Sequence, residues 1–211
     1  MGKSQFPAPG LNLSDQLSSI EPGCHDPRIV ETPSPAVPGT PARHWEGRWA
    51  NEAATAAFAQ RLAACPAIAN ATLTLAGDLG AGKTTFVRHL LRALGVQGRI
   101  KSPTYAVVEP HRAEAGPHGA LSAWHFDFYR FGDPREWEDA GFRELFASAG
   151  LKLVEWPERA TGLMPAVDAA LTLGPEDTAP AGDDDFGDGP RAVRLEAFTD
   201  TGRRLLAWLT A

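Results

Sequence analysis

Residues 77–84, Gly-Asp-Leu-Gly-Ala-Gly-Lys-Thr, are the stretch that decides the fold class of this chain. They fit the pattern G-x-x-x-x-G-K-[ST] of a phosphate-binding loop, or P-loop. The flanking sequence fits as well, because an apolar run at residues 68–75 precedes the loop and a helical apolar pattern at residues 83–94 follows it. The sequence therefore predicts a strand, a glycine-rich loop and a helix in the order that binds nucleotide phosphates.

The residue types of the loop explain how it would bind phosphate. Glycines allow a tight turn with inward-pointing backbone N–H groups, and the following helix adds the partial positive charge of its N-terminus. In such a loop, Lys83 reaches the β- and γ-phosphates and the Thr84 hydroxyl ligates Mg²⁺. The predicted nucleotide-binding residues of the loop are Asp78, Leu79, Gly80, Ala81, Gly82, Lys83, Thr84 and Thr85.

A P-loop enzyme also needs a carboxylate near the metal, commonly at the carboxyl end of a strand. Asp127 and Glu155 each end an apolar strand pattern. The two-residue alternation of a strand places His125, Asp127 and Tyr129 on one face, and Phe126 and Phe128 on the other, facing the core. The spacing leaves open which of the two acids contacts the metal.

Four further positions have side chains suited to a nucleotide site. The turn at residues 102–104, Ser-Pro-Thr, follows the P-loop helix, where a hydroxyl group can contact the γ-phosphate as in switch segments. A simple proline turn before a strand is the alternative. Trp156 is suited to stacking on a base or to packing, and His125 to acting as a base or to a structural contact. Arg130 is suited to binding phosphate or to an ion pair.

Strands and helices alternate along the chain, which predicts an α/β fold of the P-loop NTPase type. We expect a mostly parallel central sheet flanked by helices, with an antiparallel hairpin at the C-terminus. Asn51 is the expected N-cap of the first helix. The expected strands are 68–75, 105–108, 121–128, 151–154, 171–173 and 193–198, and the expected helices are 52–64, 83–94, 134–146 and 202–209.

Two low-complexity stretches lie outside this pattern. Residues 1–43 contain eight of the 18 prolines, which predicts a disordered extension before a P-loop domain at residues 44–211. Residues 174–190 contain six acids and no Lys or Arg, so they account for the whole formal charge of −6 in the 211-residue chain. We expect an acidic flexible loop there, and a docking surface for a basic partner is the alternative.

The composition excludes several classes of function. The negative charge argues against bulk nucleic-acid binding. Cys24 and Cys65 are too few for a disulfide framework and lack the spacing of a zinc site. The sequence has no run of about 18 apolar residues, which a membrane span requires, and no secretory segment near the N-terminus. We therefore expect a cytoplasmic protein with no membrane partner.

Four blocks of sequence together have a family signature. The P-loop block GDLGAGKTTFVRHLLRALG is generic by itself. The S-P-T-Y of KSPTYAVVE, the H-x-D-x-Y-R of HFDFYRFGDPREWEDAGFRELF and the V-E-W-P-E of LVEWPERATGLMP make the set specific. In order and spacing these blocks resemble the TsaE family of bacterial tRNA threonylcarbamoyladenosine (t6A) biosynthesis ATPases. The resemblance covers about residues 45–174.

This resemblance implies a small ATPase that uses ATP and Mg²⁺. It would join a complex of TsaD and TsaB homologues that modifies adenosine 37 of tRNA, and it would support turnover of that complex without being the transferase. Its contact with tRNA would be indirect, through the complex. By position, the resemblance implies that Lys83 and Thr84 bind the phosphates and the metal, that Glu155 is a second metal contact and that Asp127 is needed for hydrolysis. It implies a switch-type role for Thr104 and a place near the nucleotide for Trp156.

Two other classes of function stay open from the sequence. In the first, ATP orders residues 102–105 for docking and hydrolysis is incidental, so the chain is a nucleotide-dependent binding module. The second is a small-molecule kinase, which usually carries an arginine-rich lid. Between Arg143 and Arg191 the sequence has only Arg159, which disfavours a kinase.

Overall fold

The computed structural model describes residues 29–31, 43–132, 135, 137, 140–175 and 189–211. These residues form one eight-stranded sheet with helices packed against it. The strands are β1 (Ile29–Glu31), β2 (Arg43–Trp49), β3 (Thr72–Ala76), β4 (Val108–Ala113), β5 (Leu121–Asp127), β6 (Leu151–Glu155), β7 (Ala169–Pro175) and β8 (Arg191–Ala197). The helices are α1 (Glu52–Ala63), α2 (Lys83–Ala93), α3 (Phe142–Ala147) and α4 (Asp200–Thr210), with short 3-10 helices at Pro66–Asn70 and Pro157–Ala160.

The sheet has a parallel centre and antiparallel flanks. The strand order is β1-β2-β8-β7-β3-β6-β5-β4. Three neighbouring pairs, β7–β3, β3–β6 and β6–β5, are parallel. The pairs β1–β2, β2–β8, β7–β8 and β4–β5 are antiparallel. The predicted α/β fold with a C-terminal hairpin is confirmed, the hairpin being β7–β8. The loop after β3 lies between the carboxyl ends of β6 and β7, where open α/β sheets bind ligands.

Two apolar clusters cover the sheet. The larger one joins α1, α2 and α4 to the strands, with Phe58, Phe86, Leu90 and Leu205 among its fully or nearly buried members. The smaller one is mostly aromatic and joins β5 and β6 to α3; its members include Phe126, Phe128, Trp137, Phe142 and Phe146. Phe126 and Phe128 thus face the core, as the strand alternation predicts.

The helices around the site begin and end where their sequences predict. Asn51 caps α1, since its side-chain oxygen accepts a hydrogen bond from Ala54 N at 3.0 Å. Helix α2 buries its apolar stripe against the sheet. It ends in a Schellman motif, in which Val96 N bonds to Leu91 O at 2.9 Å and Gly95 N to Arg92 O at 3.0 Å. The C-terminus of the P-loop helix is therefore fixed by its own backbone hydrogen bonds.

The structure corrects two of the predicted strands. The first half of the apolar run at residues 68–75 continues the 3-10 helix that Pro66 opens, and the strand begins only at Thr72. Residues 105–107 form a turn, and β4 begins at Val108. Val107 has a φ of 64°, which a β-branched residue rarely adopts. The hydrogen bond from Val107 N to Pro103 O, at 2.6 Å, closes this turn.

The low-complexity stretches are described only in part. Ile29–Glu31, within the predicted extension, form edge strand β1, and Arg43 begins β2, a strand that the sequence analysis did not predict. Residues 1–28 and 32–42, which include Cys24, lie outside the described residues, as do the acidic residues 176–188 and part of the predicted helix 134–146. Gly174 and Pro175 belong to β7. In the described part of the chain, no helix has the length and apolarity to cross a membrane.

Candidate functional site

The loop between β3 and α2 has the conformation of an anion-binding loop. Gly82 has a φ of 100°, immediately before the first residue of α2, and a Cβ atom there would lie 3.0 Å from Arg191 Nε. Gly77 has a φ of 134°, and a Cβ atom there would lie 2.1 Å from the Leu173 carbonyl oxygen. Only glycine fits either position. The first turn of α2 contains no acidic residue of its own, so the N-terminus of the helix presents its positive dipole end to the loop.

Lys83, the first residue of α2, lies almost fully inside this loop, with 4% of its surface exposed. Its Nζ donates to the carbonyl oxygens of Gly77 at 2.5 Å and Asp78 at 2.8 Å, and lies 3.7 Å from the centroid of the Trp156 ring. Burial lowers the pKa of Lys83 from its ordinary 10.5, and neighbouring acids, Glu155 foremost, oppose that shift. The ammonium group is therefore a poorly solvated cation at the point where a phosphate would neutralise it.

Thr84 and Glu155 form the second part of the site. The Thr84 hydroxyl donates to the Glu155 carboxylate, with its oxygen 2.9 Å from Oε1 and 3.0 Å from Oε2. Glu155 ends β6 and is 2% exposed, and its Oε1 also lies 2.8 Å from His125 Nε2. A hydroxyl and a carboxylate side by side at the start of a P-loop helix are the oxygen ligands that Mg²⁺ takes in such sites.

Asp127 forms the third part, at the end of β5. Its Oδ2 accepts hydrogen bonds from Ser102 Oγ and, at 2.9 Å, from Thr104 Oγ1, and its Oδ1 accepts one from Tyr129 N at 3.0 Å. The two hydroxyl oxygens are 2.8 Å apart. Asp127 therefore joins the end of β5 to the 102–104 turn, and its buried carboxylate faces the same space as Glu155.

These side chains line one pocket of about 460 Å³, within the range of small-ligand sites. Of the predicted site residues, the pocket is lined by Leu79, Gly80, Gly82, Lys83, Thr84, Thr85, Thr104, Asp127, Glu155 and Trp156. Asp78 and Ala81 lie instead in an adjoining groove between the loop and the ends of β7 and β8. The structure thus brings together residues that are as far apart in sequence as Leu79 and Trp156.

Trp156 occupies a constrained position beside Lys83. It follows β6 with a φ of 58°, in the left-handed region, and its ring lies 5.0 Å from that of Tyr129, centroid to centroid. A non-glycine residue in this conformation costs free energy that the surrounding contacts must offset. The strained backbone aims the indole into the pocket, over the Lys83 ammonium.

The sequence analysis assigned no role to Arg191 or Tyr129, both of which line the pocket. Arg191 begins β8, and its Nε donates to the Ala81 carbonyl at 2.9 Å while one terminal nitrogen donates to the Gly189 carbonyl at 3.1 Å. Its place beside the loop follows from the pairing of β7 with β3. The sequence signal that could have pointed to Arg191 is an arginine at the start of a strand in the predicted hairpin.

The donor set fits a magnesium ion bound together with a nucleotide. In the described residues there is no group of three or more His, Cys, Asp or Glu side chains that would hold a metal by itself. Thr84, Glu155 and the neighbouring Asp127 offer oxygen atoms only. Mg²⁺ commonly binds through one or two carboxylates, with substrate phosphates and water as the other ligands.

Comparisons with known proteins identify the family of the chain. The family model "Threonylcarbamoyl adenosine biosynthesis protein TsaE" matches residues 49–180. The TsaE protein of Haemophilus influenzae is 38% identical over 133 residues, which are 63% of this chain and 74% of that protein. The TsaE protein of Bacillus subtilis is 43% identical over 84 residues, 40% of this chain and 49% of that protein.

A solved structure has the same fold. The crystal structure of Bacillus subtilis YdiB aligns with a TM-score of 0.58 and 27% identity, covering 79% of this chain and 94% of that one. The family match spans more than half of the chain and includes the P-loop, the 102–104 turn, Asp127 and Glu155. The chain therefore belongs to the TsaE family of tRNA threonylcarbamoyladenosine biosynthesis proteins.

Proposed function

We propose that this protein binds and hydrolyses ATP with Mg²⁺ as the ATPase subunit of the machinery that makes t6A at adenosine 37 of tRNA. The observation that supports this most directly is the convergence of Lys83, Thr84, Asp127 and Glu155 on one pocket at the N-terminus of α2. Each of these residues has the chemistry that a P-loop hydrolase needs at that place.

Four side chains would divide the work of hydrolysis. Lys83 Nζ would exchange its bonds to the Gly77 and Asp78 carbonyls for bonds to the β- and γ-phosphates. Thr84 and Glu155 would bind Mg²⁺, which neutralises the charge that develops on the phosphates. Asp127, held by two hydroxyl groups, would orient the attacking water for in-line displacement of the γ-phosphate.

Homologues of TsaD and TsaB are the partners that we propose, with tRNA contacted indirectly through their complex in the cytoplasm. The mouth of the pocket offers a surface for a protein partner. Leu79 and Tyr105 are 69% and 86% exposed, Tyr129 is also exposed, and the Arg130 guanidinium lies 4.4 Å from the centroid of the Tyr105 ring. Exposed apolar groups around a polar site are typical of a protein interface.

The test is ATP hydrolysis by the purified chain, alone and with TsaD and TsaB from the same source, each measured beside Lys83→Ala. We expect slow hydrolysis by the chain alone, stimulation by the partners, and loss of both in the variant. Hydrolysis at the wild-type rate by Lys83→Ala would refute the ATPase assignment. Absence of both stimulation and complex formation would refute the partner assignment.

A nucleotide-dependent binding module is the second candidate. The bonds from Ser102 and Thr104 to Asp127, together with the left-handed Val107, make the 102–107 turn a segment that a γ-phosphate would reorder. The discriminating measurement is t6A formation over many turnovers with a variant that binds ATP without cleaving it, such as Asp127→Asn. Continued modification would favour the module, and arrest after one turnover would favour the ATPase.

A further inference from the structure

His125 is a fully buried histidine with one polar contact in the described part of the chain. It lies on β5, two residues before Asp127, and has no exposed surface. Its Nε2 lies 2.8 Å from Glu155 Oε1. Its Nδ1 is buried and has no hydrogen-bond partner among the residues that the structure describes.

A buried histidine with an unpartnered ring nitrogen lowers the stability of the folded state, so its presence here calls for a physical reason. A buried nitrogen without a partner destabilises the folded state, and an apolar side chain at this position would avoid the cost. Neighbouring strand positions carry such residues, for example Ala123 and Phe126. Packing therefore does not explain a histidine here, whereas a hydrogen bond to the carboxylate does.

The hydrogen bond also has a definite direction. An ionised carboxylate only accepts hydrogen bonds, so His125 Nε2 carries the proton and donates it to Glu155 Oε1. Oε1 thus receives the bonds of both His125 and Thr84, while Oε2 contacts Thr84 alone among the residues that the structure describes. The histidine fixes the rotation of the carboxylate and keeps Oε2 directed toward Thr84.

We propose that His125 is a positioning residue that holds the Glu155 carboxylate in the orientation that binds Mg²⁺. The inference rests on the proposed Mg²⁺–ATP function and extends it to a residue that contacts neither phosphate nor metal. Groups that orient metal-ligating carboxylates affect metal affinity strongly. Loss of His125 is therefore expected to weaken metal binding through Glu155 and to leave the contacts of the nucleotide with the P-loop intact.

The chain offers a matched control in His111. Its ring centroid is 6.3 Å from that of His125, on the side of edge strand β4, and its Nε2 is likewise buried without a partner in the described residues. No hydrogen bond joins His111 to Glu155 in the described part of the chain. A variant of His111 perturbs the same region of the sheet without touching the carboxylate.

The test compares His125→Gln with His125→Asn in the full chain. The Gln amide nitrogen reaches the place of Nε2, whereas the Asn amide nitrogen falls short at the place of Nδ1. Binding of Mn²⁺ to the protein–ADP complex is measured by electron paramagnetic resonance, and binding of ADP is measured separately in EDTA. We expect His125→Asn to weaken Mn²⁺ binding about 10- to 100-fold. The Mn²⁺ affinities of His125→Gln and His111→Asn are expected to stay near that of the wild type. ADP affinity in EDTA stays unchanged in all variants.

Two results would overturn the inference. The first is wild-type Mn²⁺ affinity in His125→Asn. The second is equal weakening in His125→Gln and His125→Asn, because a structural role alone would affect both. A failure of the wild-type chain to bind ADP in EDTA would be distinct from these, since it would refute the proposed function and remove the basis of the inference with it.

Discussion

Asp127 and Glu155 are register partners on the parallel strands β5 and β6, yet their carboxylates accept hydrogen bonds from different hydroxyl groups. Glu155 accepts from Thr84, in the first turn of the P-loop helix. Asp127 accepts from Ser102 and Thr104, in the turn that follows that helix. One acid is thus joined to the phosphate loop and the other to the 102–104 turn, so we expect substitutions of the two acids to have separable effects.

Glu155→Gln keeps the shape of the side chain and removes its charge. We expect the Mg²⁺ concentration for half-maximal ATPase activity to rise about 10-fold or more, because the amide is a poor ligand for a hard cation. Nucleotide binding in EDTA is expected to persist. The control is Glu158→Gln, which removes an exposed acid three residues away. The same Mg²⁺ dependence in both variants would contradict a metal role for Glu155.

Asp127→Asn is expected to act on the chemical step. The amide can still accept from Ser102 and Thr104 but is a weak base, so we expect kcat to fall about 100-fold or more. Affinity for Mg²⁺ and ATP should change little, since Glu155 and the loop are untouched. Single-turnover hydrolysis and Mn²⁺ binding measure the two effects. A shift in metal dependence equal to that of Glu155→Gln, with kcat retained, would reverse the roles of the two acids.

Lys83→Met separates function from folding. The thioether side chain has a similar length, and its burial carries no penalty for desolvating a charge, which is the main cause of the lowered pKa of Lys83. The thioether leaves the Gly77 and Asp78 carbonyls without the hydrogen bonds of Nζ, so we expect the free energy of unfolding to fall by about 1–3 kcal/mol, while the fold is retained and ATP hydrolysis is abolished. Lys101→Met, at an exposed position, is the control for loss of a lysine. If Lys83→Met unfolds and Lys101→Met does not, the Lys83 side chain is required for folding.

The residues whose position at the pocket could be predicted from the sequence are those where local pattern and chemistry coincide. The P-loop glycines, Lys83 and Thr84 act within one turn of chain, so their geometry follows from their spacing. The positions of Asp127 and Glu155 were predictable because each residue ends a strand with a clear pattern, alternating in β5 and mostly apolar before Glu155 in β6. The ends of neighbouring parallel strands meet at one edge of the sheet. The roles that we propose for the two acids rest on their hydrogen bonds, which the spacing of the sequence does not contain.

The errors arose where distant contacts override local preference. Val107 has a high strand propensity, yet the bond to Pro103 O and the bond from Asp127 N to Val107 O hold it in a left-handed turn. Strand β2 was missed because its sequence, RHWEGRW, mixes charged residues, Gly and Trp and so lacks a regular alternation of apolar and polar residues. Arg191 was missed because its place beside Ala81 depends on β7 pairing with β3.

We expect His111 to make the stability of the folded protein depend on pH, separately from any effect on catalysis. Burial lowers the pKa of His111 from its ordinary 6.5, as does His125, whereas Glu109 opposes the shift. Below pH 6.5 the unfolded chain therefore binds a proton that the folded chain resists, so the free energy of unfolding falls as the pH falls. We expect His111→Gln to lose less stability than wild type between pH 7 and pH 5, measured by urea unfolding. Equal losses would mean that the His111 environment is not desolvated.

Arg191 ties the C-terminal hairpin to the phosphate loop, and this contact should affect nucleotide affinity. Its Nε bonds to Ala81 O, and its side chain lies against Gly82. Because a hydrogen bond from a charged group contributes about 1.5–3 kcal/mol, we expect Arg191→Ala to weaken ATP binding about 10-fold or more. The measurement is titration with a fluorescent ATP analogue.

The control for this titration is Arg194→Ala on the same strand. The Arg194 guanidinium pairs with Glu46 and Glu196 and does not line the pocket. Arg191→Lys adds a second comparison, since it restores the charge but cannot donate to the Ala81 and Gly189 carbonyls in the same planar geometry. If the lysine variant binds ATP as wild type does, charge alone is sufficient. If the lysine variant binds ATP as weakly as the alanine variant, the hydrogen bond from the guanidinium to the Ala81 carbonyl is what the hairpin contributes to ATP binding.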